Sequence, residues 1–266
     1  MFNNINFSQQ ICTQVYENCQ KYMPQIEKIP ANAWQPMRKG STNQLWCYQD
    51  KVLRINADDK YLLGVNRQLE REYLNQLKKF KWAPRILAYA PKSTCLPAGA
   101  YLMPLYQKAR QNKIKTSFFI ALLKALACVK PIEPQEKNYY QLFAEYKKYL
   151  PSYDWHEVDY LINEYHKLPK VNAAVTHHDL HQGNIMYDSE KNSLILLDFE
   201  YFSYANPWFD WVAVHSKFNI KKDAIFFALR SDIRLTQREF NQGLAQATLV
   251  LSQLEKVWYK IYMEKR

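Results

Sequence analysis

The 266-residue sequence predicts an α+β protein of two lobes, a small β-rich N-terminal lobe and a larger helical C-terminal lobe with the active site in the cleft. Short apolar runs parted by turn-sized gaps fill the first hundred residues and surround one amphipathic segment. After Pro104 the apolar spacing becomes that of helices. A compact β-rich stretch, Val175–Asp198, then interrupts the helices and holds most of the polar residues with chemical potential.

The elements follow in order. Ile11, Val15, Cys19 and Tyr22 recur at helical spacing, which predicts a helix over Phe7–Met23. Leu45–Tyr48 and Val52–Ile55 read as strands joined by a hairpin-sized gap at Gln49-Asp50. Asn66–Lys79 reads as a helix with Leu69, Tyr73 and Leu77 on one face. The apolar runs Ile86–Ala90 and Ala100–Met103 complete the small sheet. Beyond a hinge at Met103–Tyr106, helical patterns cover Phe118–Val129, Tyr139–Tyr149, Glu157–Leu168 and most of the chain after Phe209. The lobes are accordingly residues 1–104 and 105–266.

Apolar residues make up 48% and aromatics 15%, enough for a sizeable core. The formal charge is +11, yet residues 1–104 carry 14 Lys/Arg and 7 Asp/Glu whereas residues 105–266 carry 22 and 18. A basic first half suits a polyanionic cosubstrate. The charge alone suggests a nucleic-acid partner, but no nucleic-acid-binding motif accompanies it, so none is expected. The five cysteines show no CxxC spacing, and no apolar run is long enough to span a membrane. With no signal-peptide pattern visible, the expectation is a cytoplasmic protein with no membrane partner.

The informative stretch is Thr176-His177-His178-Asp179-Leu180-His181-Gln182-Gly183-Asn184, followed by Leu197-Asp198-Phe199-Glu200. His177-x-Asp179 with Asn184 reproduces the spacing of a phosphoryl-transfer catalytic loop, and Asp198-Phe199-Glu200 stands where a metal-binding Asp-Phe-Gly is found. Asp179 is the candidate to orient or deprotonate an attacking hydroxyl. His177 is the candidate brace of its loop. Asn184 and Asp198 are candidate magnesium ligands, since magnesium takes hard oxygens and keeps several waters. A hairpin across Ser189–Ser193 would bring those two to one end of the site. Zinc fits poorly, because no cysteine lies near the histidines and no HExxH helix is present.

Upstream, Gly40, Ser41, Thr42 and Asn43 form a candidate phosphate loop in which backbone N–H groups could approach phosphate oxygens. No G-x-G-x-x-G accompanies them, and a plain hairpin turn reads equally well. Arg54 stands inside an apolar strand and needs a partner, for which Glu72 on the following helix is the candidate.

On these residues the chain resembles the aminoglycoside phosphotransferase/choline kinase superfamily, and within it small bacterial choline/ethanolamine kinases and thiamine kinases. The resemblance covers about residues 35–215 and implies a protein-kinase-like fold with ATP and magnesium as cofactors. It implies Asp179 as base, Arg54 as phosphate contact, adenine binding by the backbone around Leu102–Leu105 (Met103 and Leu105 among them), and Asp210 as support of the catalytic loop. Arg54 in place of lysine and Glu200 in place of glycine depart from protein kinases and argue against a protein acceptor.

The implied acceptor is a small-molecule alcohol held in the helical lobe. Glu200, Trp208 and Trp258 are the candidate contacts, since aromatic faces suit a quaternary ammonium or thiazolium ion, and core packing is the alternative for any one ring. Choline or ethanolamine leads and thiamine follows. An aminoglycoside would need more acids than this region offers. A catalytically silent nucleotide-binding relative is disfavoured by the complete Asp179, Asn184 and Asp198 set.

Overall fold

The computed structural model describes residues 10–37, 43–58, 62–110 and 114–264. Gly40, Ser41 and Thr42, and the start of the predicted first helix, lie outside them.

The N-terminal lobe is an antiparallel sheet in the order β1-β2-β3-β5-β4. Its strands are β1 (Gln35–Pro36), β2 (Gln44–Tyr48), β3 (Lys51–Ile55), β4 (Ala88–Ala90) and β5 (Ala100–Pro104). The predicted hairpin joins β2 to β3 in the register Cys47↔Val52, and Gln49 takes the left-handed conformation its turn requires. β3 pairs next with β5, so Arg54 faces Tyr101 across the ladder.

Helix α1 (Thr13–Tyr22) covers one face of this sheet, burying Tyr16 and Cys19 beside Trp34, Trp46 and Leu53. Trp34 donates to the Tyr16 hydroxyl at 2.8 Å, and that hydroxyl donates to the Ile29 carbonyl at 2.7 Å. Both buried polar tips are thereby satisfied. Helix α2 (Arg67–Leu77) starts at Asn66, whose side chain accepts the Leu69 amide. It buries Leu69, Tyr73, Leu74 and Leu77 against the second, larger core.

After β5 the chain crosses into the C-terminal lobe, where β6 (Gln107–Lys108) joins β8 (Ile185–Asp188) and β9 (Ser193–Leu196). A two-stranded ladder, β7 (Ala174–Thr176) with β10 (Ser203–Ala205), lies beside it. Around these pack α3 (Thr116–Ala127), α4 (Tyr139–Lys147), α5 (Trp155–His166), α6 (Trp208–Phe218), α7 (Lys222–Leu229) and the long α8 (Gln237–Glu264). At Gly243, on α8, a Cβ would meet the Trp208 ring at 2.6 Å, so a glycine lets α8 close on α6. Among the described residues no helix is long and apolar enough to cross a membrane.

Candidate active site

Strand β7 delivers the chain to His177, where Asp210 of α6 fixes the turn from behind. The two Asp210 carboxylate oxygens accept the His177 amide at 2.7 Å and the His178 amide at 2.9 Å. Burial lifts the Asp210 carboxyl to about 6 although those amides hold it down. His177 is fully buried. Its Nδ1 accepts the Asp179 amide at 3.2 Å, which assigns the proton to Nε2, 2.9 Å from the Leu197 carbonyl. Burial lowers its pKa to about 4, so the ring is a neutral brace between two loops. His178 occupies the left-handed region at φ 67°, a conformation costly for a side chain and sustained here by the Asp210 clamp.

That turn places Asp179 in the cleft. The Asn184 amide donates at 2.9 Å both to the Asp179 carboxylate and to its backbone carbonyl. His181 Nε2 lies 3.4 Å from the same carboxylate. Burial alone would raise the Asp179 pKa, but the His181 ring and the Asn184 amide outweigh it and hold it below the usual value. At Gly183 a Cβ would crowd the His181 ring to 2.7 Å, whereas glycine lets its amide donate to His181 Nδ1 at 3.0 Å.

The predicted hairpin is present, with Asp188 opposite Ser193. The Leu197 amide donates to the Asn184 carbonyl at 2.8 Å, which sets Asp198 beside Asn184. Asp198 also takes a positive φ, 62°. Its Oδ1 is buried with no hydrogen bond and lies 3.4 Å from Arg54 Nη2. Burial, then the nearby carboxylates, lift Asp198 to about 7 against the pull of Arg54. An orphaned carboxylate oxygen next to an amide whose nitrogen is already committed fits a hard cation held by Asp198 and the Asn184 carbonyl oxygen. Among the described residues no cluster of three or more His, Cys, Asp or Glu could hold a metal. A magnesium ion here would complete its shell with water or ligand oxygens.

Arg54 does not meet Glu72. Its Nη1 lies 2.8 Å from Glu70, while Glu72 stands at the helix surface and accepts from Gln68 at 3.0 Å. The reason is periodicity: Glu70 shares the buried face of α2 with Leu69, Tyr73 and Leu74, and Glu72 points away from it. Glu70 also binds Arg67 at 2.8 Å, and Arg67 reaches Glu200 at 3.0 Å and the Asn43 side-chain oxygen at 2.9 Å. The Asn43 amide donates to Glu200 at 3.0 Å. Glu200 therefore serves this lattice while it also lines the cleft. The carboxylates around Arg54 offset its desolvation and raise its pKa. Its Nε and Nη2 are buried with no hydrogen-bond partner.

All of this opens on one cleft of about 1230 Å³, more than a single small ligand needs. Met103 and Leu105 line it. The hinge backbone is less free than predicted, however. The Leu105 amide donates to the Asp50 carbonyl at 2.7 Å, so that donor is not on offer to a base, and the Leu102 carbonyl already accepts the Leu87 amide at 2.8 Å.

The far half of the cleft is walled by Tyr146, Tyr201, Trp258 and Tyr262. Trp258 and Tyr262 stack at 5.2 Å with planes 11° apart. Lys260 ties this end of α8 to Asp154 at 2.6 Å and Glu157 at 2.9 Å. Trp208 is not part of the wall. It is fully buried, donates to the Pro169 carbonyl at 3.0 Å and packs on Trp211 and Phe240, because the first turn of α6 faces the core. Besides Glu70, sequence reasoning missed Lys137, which enters the cleft from the segment before α4 and carries no periodic or motif signal.

The catalytic-loop and metal-end geometry on a two-lobed scaffold is that of a phosphotransferase. The sequence matches the model of the phosphotransferase enzyme family over residues 50–238, and the chain belongs to that family. No curated protein matches it in sequence. Among solved structures it resembles choline kinase LicA from Streptococcus pneumoniae, with TM-score 0.67 and 14% identity over 95% of this chain and 92% of that one. A choline/ethanolamine kinase family protein from Mesorhizobium loti aligns with TM-score 0.62 and 17% identity over 94% and 86%. A streptomycin–ATP–APH(2″)-IIa ternary complex aligns with TM-score 0.60 and 16% identity over 92% and 93%.

Proposed function

We propose that this phosphotransferase moves the γ-phosphoryl group of ATP, with magnesium, to the hydroxyl of a small amino alcohol, choline or ethanolamine first. The observation that carries the reading is the Asp179 carboxylate, held by Asn184 at 2.9 Å beside the orphaned oxygen of Asp198. Asp179, held ionised by His181 and Asn184, accepts the hydrogen bond of the attacking hydroxyl, aligns it and takes its proton as the bond to phosphorus forms. Arg54, which lines the cleft and is held by Asp198 and Glu200 only at 3.4 and 3.6 Å, is the proposed contact for phosphate oxygens. Asp198 and the Asn184 carbonyl oxygen would hold magnesium, which when bound neutralises charge on the phosphates. The backbone of Gly40, Ser41, Thr42 and Asn43 is proposed as a second phosphate grip. Solved relatives carry nucleotides, among them LicA with AMP and the APH(2″)-IIa complex with ATP.

The aromatic wall supports a cationic body on the acceptor, with Trp258 as its proposed contact. Thiamine is the second reading, favoured by the flat face that the parallel Trp258–Tyr262 pair presents. A polycationic aminoglycoside suits the wall less, because its carboxylate Glu255 is already paired with Lys217 at 2.6 Å. The test is ADP release with each alcohol and MgATP, in the parent protein and in Asp179→Asn. Alcohol-dependent release that the variant loses is expected. Release that no alcohol stimulates would overturn the proposal.

A further inference from the structure

Lys137 is a cation placed in an apolar pocket without a counter-charge. It lines the cleft between the Gly64 turn of the N-terminal lobe and the catalytic loop. Its backbone is fixed by donation to the Tyr204 carbonyl at 2.9 Å. Among the described residues its ammonium has one hydrogen bond, to the Gly64 carbonyl at a long 3.4 Å. No described carboxylate pairs with it, and burial accordingly depresses its pKa to about 8. His178, on which its charge acts, is neutral, held by the Tyr139 hydroxyl on Nε2 and the Tyr201 carbonyl on Nδ1. Tyr146 and Tyr201 keep their protons.

An ammonium left in such a place is costly to the fold, and an ion pair completed by a ligand removes that cost. A bare amino alcohol would bring a second positive charge to it. We propose that Lys137 receives a carboxylate on the acceptor, so that the substrate is a hydroxy compound with one negative group as well as the cationic body taken by the aromatic wall. A single lysine matches the single charge of a carboxylate better than a phosphate dianion. The inference rests on the small-molecule kinase reading above and replaces the bare amino alcohol favoured there with a hydroxy amino acid or a comparable zwitterion.

Matched pairs test it, each differing by one carboxylate: ethanolamine against serine, and choline against N,N,N-trimethylserine. Binding to the full chain with MgADP is read by thermal shift, in the parent, in Lys137→Met and in Lys137→Arg. The carboxylated member of at least one pair should bind at least tenfold tighter in the parent. Lys137→Met should abolish that preference with MgADP affinity unchanged, and Lys137→Arg should retain it. Equal or tighter binding of both bare amino alcohols would overturn the inference, as would no binding by any of the four, or a preference that survives Lys137→Met. Weakened MgADP affinity in Lys137→Met would overturn it too, by moving Lys137 to the phosphate side. Any of these results alongside Asp179-dependent turnover of an alcohol would sink the inference alone, whereas loss of that turnover would sink the kinase reading.

Discussion

Arg67 Nη2 lies 3.0 Å from Glu200 Oε2, which ties the first residue of α2 to the loop that carries Asp198. Both side chains are almost wholly buried, and Arg67 also holds Glu70 at 2.8 Å. Arg67→Met should therefore leave two buried carboxylates short of a partner and cost about 3–5 kcal/mol. Urea denaturation measures the loss. Adding Glu200→Gln to Arg67→Met should recover part of it, because an amide is cheaper to bury unpaired than a carboxylate.

Asp179→Asn keeps the shape of the loop and removes its base. A fall in kcat of about 10²- to 10⁴-fold is expected, with the KM for ATP little changed. Asn184→Ala should act differently, since Asn184 both holds Asp179 and faces Asp198. Its turnover should become more dependent on magnesium concentration, as a titration of activity against the ion would show.

Burial holds Lys137 at about 8 rather than its ordinary 10.5. Between those values the unfolded chain binds more protons than the folded one, so stability rises with pH across that window. Below it the cost of the buried charge is fully present, about 2–3 kcal/mol after allowance for partial exposure. Lys137→Met should consequently stabilise the ligand-free protein at pH 7, and the gain should shrink through pH 8 to 10.5. Denaturant melts at pH 7 and pH 10 check the sign, and an equal gain at both would contradict it.

Trp208 and Trp258 should separate cleanly. Trp208→Ala empties a core site and should cost about 3–5 kcal/mol. Trp258→Ala removes one ring of the acceptor wall, so it should raise the acceptor KM with a much smaller loss of stability. Gly243→Ala should also destabilise, by about 1–3 kcal/mol, because it drives a methyl group into the Trp208 ring.

The two-lobed order and the core of the site were legible because they rest on local patterns. His177, Asp179, Asn184 and Asp198 lie within 22 residues of one another, and the strands around them are short and apolar. Glu70 was legible in principle: the spacing of Leu69, Tyr73 and Leu77 puts position 70 on the buried face of α2 and position 72 off it. Trp208 misled because proximity in sequence to Asp198 says nothing about which face of α6 meets the core. Lys137 left no trace, since its burial is decided by three distant segments closing around a residue in a connecting stretch.

Two rings of the aromatic wall, Trp258 and Tyr262, come from the last turns of α8, more than seventy residues after the catalytic loop in the chain, and only packing joins the two. On the proposed assignment, part of recognition is thus written in a stretch of the polypeptide separate from the reaction. Substitutions along Leu254–Tyr262 can retune what is admitted while the phosphoryl-transfer apparatus stays as it is. The helix end is the natural place to graft or randomise when a new acceptor is sought, and the place where two proteins of this shape can diverge in diet while keeping one chemistry.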